Sequence, residues 1–243
     1  YGDEKMIPKI IHYAWVGSEV PLKVEKRINE WKKVLPDWEF KFWNESNYDL
    51  SKFEFTSKKY MQQDWGYVTD ELRYDVVNQY GGFYLDTDMI IKKDLTPFLE
   101  NKMVWGFMYD NSVLTSFFGS EPNSEFLKRI LDYYAGKREG VYSDLYKTTN
   151  NPIVTKIFEL EYPETFRKDG NYHLLGKGSE IYPRDYFCYP SHNKKANYME
   201  HLFDNSWNHS KGNKGVYGAM KYALRKLFPV MYGNLANKKR IAK

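Results

Sequence analysis

The chain has 243 residues, 42% hydrophobic and 28% charged, enough apolar material for a sizeable core, which excludes a disordered or fibrous protein. Its one cysteine, Cys188, excludes an internal disulfide and a cysteine-based zinc cluster, and no apolar run reaches the roughly 18 residues of a membrane span. The net charge of +4 is uneven: Asn205 to Lys243 holds nine Lys/Arg and no Asp/Glu, leaving 27 Lys/Arg against 32 Asp/Glu before it. The start, "YGDEKMIPKI", has no signal-peptide pattern and no initial Met, and with the lone thiol it reads as cytoplasmic. Aromatic residues make up 18%, more flat surface than a core needs and suited to stacking on sugars or bases.

Without a repeat, low-complexity block or Pro/Gly-rich linker, residues 1–243 read as one domain with a basic amphipathic tail from about residue 211. "PKIIHYAWVG" predicts a strand ending at Gly17, and Val24, Ile28, Trp31 and Leu35 predict a helix stopped by Pro36. "WEFKFW", Trp38 to Trp43, alternates like a strand and "NESN" closes it as a turn. Val68, Leu72, Val76 and Tyr80 mark a helix from near Gly66 to the Gly81-Gly82 stop, and "FYLDTDMII" follows as a strand. Farther on, "MVWGFM" and "LTSFFG" read as strands and "SEFLKRILDYYAG" as a helix. Pro152 opens another helix, and short strand-like pieces lie around His173 to Leu175, Ile181 and Tyr198 to Phe203. The alternation predicts an α/β fold, a central mostly parallel sheet flanked by helices, with ligands beyond the carboxyl ends of strands.

The stretch "YGGFYLDTDMII" puts two carboxylates one residue apart in an apolar run. Read as one strand, Asp86 and Asp88 share a face with Thr87 opposite. Converging carboxylates repel unless a cation sits between them, and oxygen ligands suit Mg²⁺ or Mn²⁺, ions that complete their shells with substrate phosphates. D-x-D alone is more often an exposed turn; the apolar flanks favour a diphosphate site at a cleft. Asp70 and Arg73 share a helix face just upstream, either as a surface ion pair or as contacts to diphosphate or sugar.

"IPKIIHYAWVG", "WNESN", "VTDELRYDVVNQYGGFYLDTDM" and "HLFDNSW" together resemble the family 32 glycosyltransferases, whose sugar-binding region carries the DxD signature, and are similar to the catalytic domain of the large clostridial glucosylating toxins. The resemblance implies a GT-A fold, a nucleotide-sugar donor with a UDP-sugar first, a Mn²⁺ or Mg²⁺ cofactor, and transfer with retention. By it, Trp15 stacks on the base, against the plain alternative of a core Trp. Asp70 binds sugar hydroxyls, Arg73 the sugar or diphosphate, with Tyr84 nearby. Asp86 reaches ribose and metal, Asp88 binds the metal, and Asp70, Arg73, Asp86 and Asp88 form the catalytic set. In "HLFDNSW", His201 and Asn205 fall where metal contacts are expected, against a structural role for the histidine, while Ser206 and Trp207 close over the diphosphate.

The expected acceptor is a hydroxyl of a polysaccharide, as in capsule synthesis, or of a lipid-linked oligosaccharide; no nucleic-acid partner is expected. A toxin-like enzyme glycosylating a protein would share the donor site, and a non-catalytic carbohydrate-binding module is the rival outside enzymes. A glycosidase would want two carboxylates about 5 to 10 Å apart as acid and base, unlike neighbours in one strand. In the tail, Val216, Met220, Ala223, Leu224 and Leu227 share a helical face, with Lys221, Arg225 and Lys226 on or beside the polar side. That face either packs on the domain or, with "NKKRIAK", contacts a membrane's inner face.

Overall fold

The computed structural model describes residues 7–204 and 216–243. The first strand β1, Ile10–Ala14, leads past Pro21 into helix α1, Leu22–Val34, which buries Val24, Ile28 and Trp31 at helical spacing. Strand β2, Glu39–Trp43, then pairs parallel with β1. An unforeseen helix α2, Glu54–Met61, precedes α3, Trp65–Tyr80. α3 ends because Gly81 and Gly82 hold φ of +68° and +106°, which side-chain-bearing residues avoid; a Cβ on Gly82 would stand 2.6 Å from the Ile10 carbonyl oxygen.

The expected strand over "FYLDTDMII" is two strands. β3, Gly82–Leu85, pairs parallel with β1, whereas β4, Met89–Ile91, belongs to a separate two-stranded sheet. Between them Asp86 to Met89 form a turn closed by Met89 N–H on the Asp86 carbonyl at 3.1 Å, so the shared-face derivation for the two carboxylates does not hold. Asp favours the first position of such a turn, and a carboxylate gains nothing inside a buried ladder.

Strands β5, Met103–Tyr109, and β6, Ser112–Ser120, form an antiparallel hairpin joined to β3. Helices α4, Glu125–Tyr134, and α5, Asn150–Glu161, follow, then β7, His173–Gly176, β8, Ser179–Tyr182, the short α6, Arg184–Phe187, and β9, Met199–His201. The large sheet runs β2-β1-β3-β6-β5-β8-β7, parallel among its first three strands and at β5/β8, antiparallel elsewhere. Two cores lie on its opposite faces, and β5 shows why: Met103, Trp105 and Phe107 enter one while Val104 enters the other. α7, Val216–Leu227, and α8, Pro229–Ile241, close the described chain as two helices where one amphipathic segment was expected.

Candidate active site

β4 pairs antiparallel with β9 in a register that sets Met89 opposite His201, carrying the histidine to the turn that holds the two aspartates. One ligand atom from each of Asp86, Asp88 and His201 then lies within 4.8 Å of the others. This group lies along a cleft of about 1580 Å³ whose lining also includes Trp15, Trp65 and residues of the C-terminal helices. Two carboxylates and an imidazole at such spacing fit a divalent cation: hard oxygens supply the charge, and the cleft leaves room for water or phosphate in the remaining positions.

Asp88 is held from several sides. Its Oδ2 accepts Asp204 N–H at 3.0 Å, its Oδ1 lies 3.4 Å from His201 Nε2, and its carbonyl accepts Leu202 N–H at 2.8 Å. His201 Nδ1 accepts Phe203 N–H at 3.2 Å, so Nε2 carries the proton and faces Ser116 Oγ at 3.0 Å. In that tautomer the Nε2 proton goes to Ser116 Oγ, with Asp88 Oδ1 only nearby; ligation through Nε2 would move the proton to Nδ1 and give up the Phe203 contact. Phe203 itself has φ of +53°, a conformation a bulky residue adopts only where its surroundings impose it.

Asp70 and Arg73 are buried beneath the cleft floor, not paired on the surface. Arg73 donates from Nη1 to the Thr115 carbonyl at 2.9 Å, from Nη2 to Thr69 Oγ1 at 3.0 Å and from Nε to the Thr69 carbonyl at 3.1 Å. Its guanidinium lies 3.3 Å from Asp86 and 3.6 Å from Asp70, over the ring of Tyr84, itself fully buried. Burial opposes this cation, but Asp86, Tyr84 and Asp70 outweigh it and hold Arg73 protonated. Burial pushes the Asp70 carboxyl up to about 7, partly offset by Arg73 and by Asn150, which donates to it at 3.0 Å. One fixed guanidinium therefore faces two carboxyl groups, Asp86 and Asp70, while Asp88 has no arginine partner among the described residues.

Trp15 lies just past the end of β1, half-buried and lining the cleft, with Nε1 donating to Ser18 Oγ at 3.1 Å. Gly17, at φ +83°, lets the Trp65 ring approach so closely that a Cβ would sit 2.6 Å away. Asn205, Ser206 and Trp207 lie outside the described residues. Sequence reasoning missed Arg27, which donates to the Thr87 carbonyl and at 3.0 Å to Asp204, bracing the turn. It also missed Ser116, Thr115 and Asn150, polar residues that no motif flags because separate strands and helices bring them here.

Residues 21–105 match the family model of the glycosyltransferase sugar-binding region containing the DXD motif, and the chain resembles that family in the motif quoted above. Inositol phosphoceramide mannosyltransferase 1 of Schizosaccharomyces pombe is 29% identical over 109 residues, 40% of this chain and 33% of its own length. The chain thus spans about a third of that relative. The uncharacterized glycosyltransferase L373 of Acanthamoeba polyphaga mimivirus is 25% identical over 223 residues, 81% of this chain and 86% of that protein. Among solved structures, the PaToxG glycosyltransferase superposes with a TM-score of 0.54 at 17% identity, covering 65% of this chain and 71% of that one, a likeness of fold. Residues 21–105 are thus similar to the sugar-binding region of DXD glycosyltransferases, and the α/β fold is like that of the PaToxG glycosyltransferase.

Proposed function

We propose that the protein is a metal-dependent glycosyltransferase that moves a sugar from a nucleotide-sugar donor, a UDP-sugar in the first instance, to a hydroxyl of a glycan or glycolipid. The observation that carries this reading is the meeting of Asp86, Asp88 and His201 within 4.8 Å beside the buried Arg73. Bound there, Mn²⁺ or Mg²⁺ supplies Lewis-acid neutralisation of a departing diphosphate. Asp88 and Asp86 would hold the cation, with His201 beside them, Asp88 oriented by Asp204 N–H and Asp86 by Arg73. Arg73 keeps a fixed positive charge behind the diphosphate, where a preorganised charge needs no reorganisation during the reaction. Asp70 accepts hydroxyls of the donor sugar from the cleft floor, Tyr84 supports the guanidinium from beneath, and Trp15 stacks on the base. As the bond from the anomeric carbon to the phosphate oxygen breaks, the acceptor hydroxyl oxygen bonds to that carbon on the same face, with retention of configuration, and its proton passes to the departing nucleoside diphosphate.

Residues 1–243 act as one catalytic unit in this reading, on the cytoplasmic side, where a reduced Cys188 is stable; among the described residues no helix is long and apolar enough to cross a membrane. The S. pombe relative is named a mannosyltransferase, so GDP-sugars belong beside UDP-sugars in the test. Thermal unfolding is followed with each nucleotide sugar, with Mn²⁺ and with EDTA. At 100 times its dissociation constant a ligand stabilises by about 2.7 kcal/mol, so one donor should raise the midpoint clearly, and only with metal present. Stabilisation by free sugars, none of it nucleotide-dependent, would instead support a carbohydrate-binding module.

A further inference from the structure

The two C-terminal helices are attached to the body unequally. α8 is seated: Asn237 is buried, accepts Asp110 N–H at 2.9 Å and donates to Asp110 Oδ2 at 2.8 Å, and Gly233 lies against the Tyr189 ring. α7 buries none of its residues. Arg225 ties it to the body, donating to the Leu202 carbonyl and lying 4.9 Å over the Phe203 ring. Val216, Met220, Leu224 and Leu227 form an apolar arc at helical spacing, centred well away from the Arg225 side, with exposures of 78, 59, 45 and 69%. An amphipathic helix gains its stability by covering such a face, and among the described residues this one lacks cover.

The charges around the arc say what covers it. Lys221 and Lys226 flank it, and Lys238, Lys239, Arg240 and Lys243 follow along α8 and its end, all but Lys238 lining the cleft as well, while residues 216–243 contain no Asp or Glu. A second copy of the same face would bring two wholly positive rims together, which repel. An anionic lipid surface satisfies both halves, taking the apolar arc at the headgroup boundary and the cations at lipid phosphates. We propose that the α7–α8 segment is the face by which this protein lies on an anionic lipid leaflet. Met220 and Leu224 line the same cleft as Asp86 and Asp88, so the cleft opens along this face. An amphiphilic acceptor then presents its hydroxyl from the leaflet; this last step rests on the glycosyltransferase reading, whereas docking does not.

The test is co-sedimentation with phosphatidylcholine vesicles, with and without phosphatidylglycerol, over a range of salt. The wild type should sediment with anionic vesicles at low salt and be released by salt. Val216→Glu with Leu227→Glu, two exposed positions outside the cleft lining, should lower the vesicle partition at least about tenfold with an unchanged melting temperature. Lys238→Glu should weaken binding and flatten its salt dependence. Equal sedimentation with neutral and anionic vesicles, undiminished binding by the double variant, or a dimer that ignores both vesicles would each overturn the proposal. Vesicle binding by a protein that takes up no nucleotide sugar would leave docking standing and remove the transfer reading.

Discussion

At the residue scale, Asp88 carries the most. Asn in its place can still accept Asp204 N–H, so the loop stays anchored while the ligand charge is lost. Asp88→Asn should therefore reduce transfer by about a hundredfold or more while leaving the melting temperature near that of wild type, measured by single-turnover kinetics beside calorimetry. Trp15→Ala should weaken nucleotide binding by about 1 to 3 kcal/mol, the range for stacking of a base on an aromatic ring. Titration calorimetry decides it: lost stability with unchanged affinity would make Trp15 a packing residue. His12, outside the cleft lining, sets a pH limit. It is fully buried, takes Trp43 Nε1–H on Nδ1 at 3.1 Å and donates from Nε2 to the Gly81 carbonyl at 2.8 Å. Burial, with Lys41 adding to it, lowers its pKa from 6.5 to about 4 against the opposing Gly81 bond and Glu39. The unfolded chain therefore takes up this proton before the folded one does, so stability is full above pH 6.5 and falls as pH drops toward 4, by at most about 3 kcal/mol. Urea unfolding across that window should show the fall, and His12→Gln, weaker at pH 7, should show a flatter slope.

At the element scale, α3 does two jobs with its acidic residues. Asp70 faces the cleft, while Glu71, also buried, accepts Thr56 N–H at 2.9 Å and Thr56 Oγ1–H at 2.8 Å, fixing α2. Glu71→Ala leaves a buried N–H without a partner and should cost about 2 to 4 kcal/mol, read as a shifted denaturant midpoint with donor affinity at saturating stability retained. α1 and α3 were legible because each repeats apolar residues on one face between strong stop signals, Pro36 and Gly81-Gly82. α2 was not, since its buried set of Phe55, Thr56 and Lys59 is mostly polar and carries no apolar period. The turn at Asp86 to Met89 was hidden by β-branched and aromatic neighbours on both sides, so two strands of different sheets read as one. The aspartates converge even so, because the turn and the β4/β9 pairing do what a shared strand face was expected to do.

At the scale of the whole molecule, the site is a product of long-range pairing. Asp88 and His201 are 113 residues apart, Arg73 meets the Thr115 carbonyl across α3 and β6, and Arg27 reaches from α1 to Asp204. The motif residues could be read from the sequence; the partners that orient them could not, since register and packing alone bring them together. On the proposed function, donor uptake in this cleft should depend on a cation held by the two aspartates. The most direct measurement is Mn²⁺ binding by electron paramagnetic resonance in wild type and Asp88→Asn, with and without nucleotide. One site of higher affinity with nucleotide present, lost in the variant while its circular dichroism is unchanged, is the predicted result. Equal Mn²⁺ binding by the two proteins, or nucleotide uptake undiminished in excess EDTA, would contradict it.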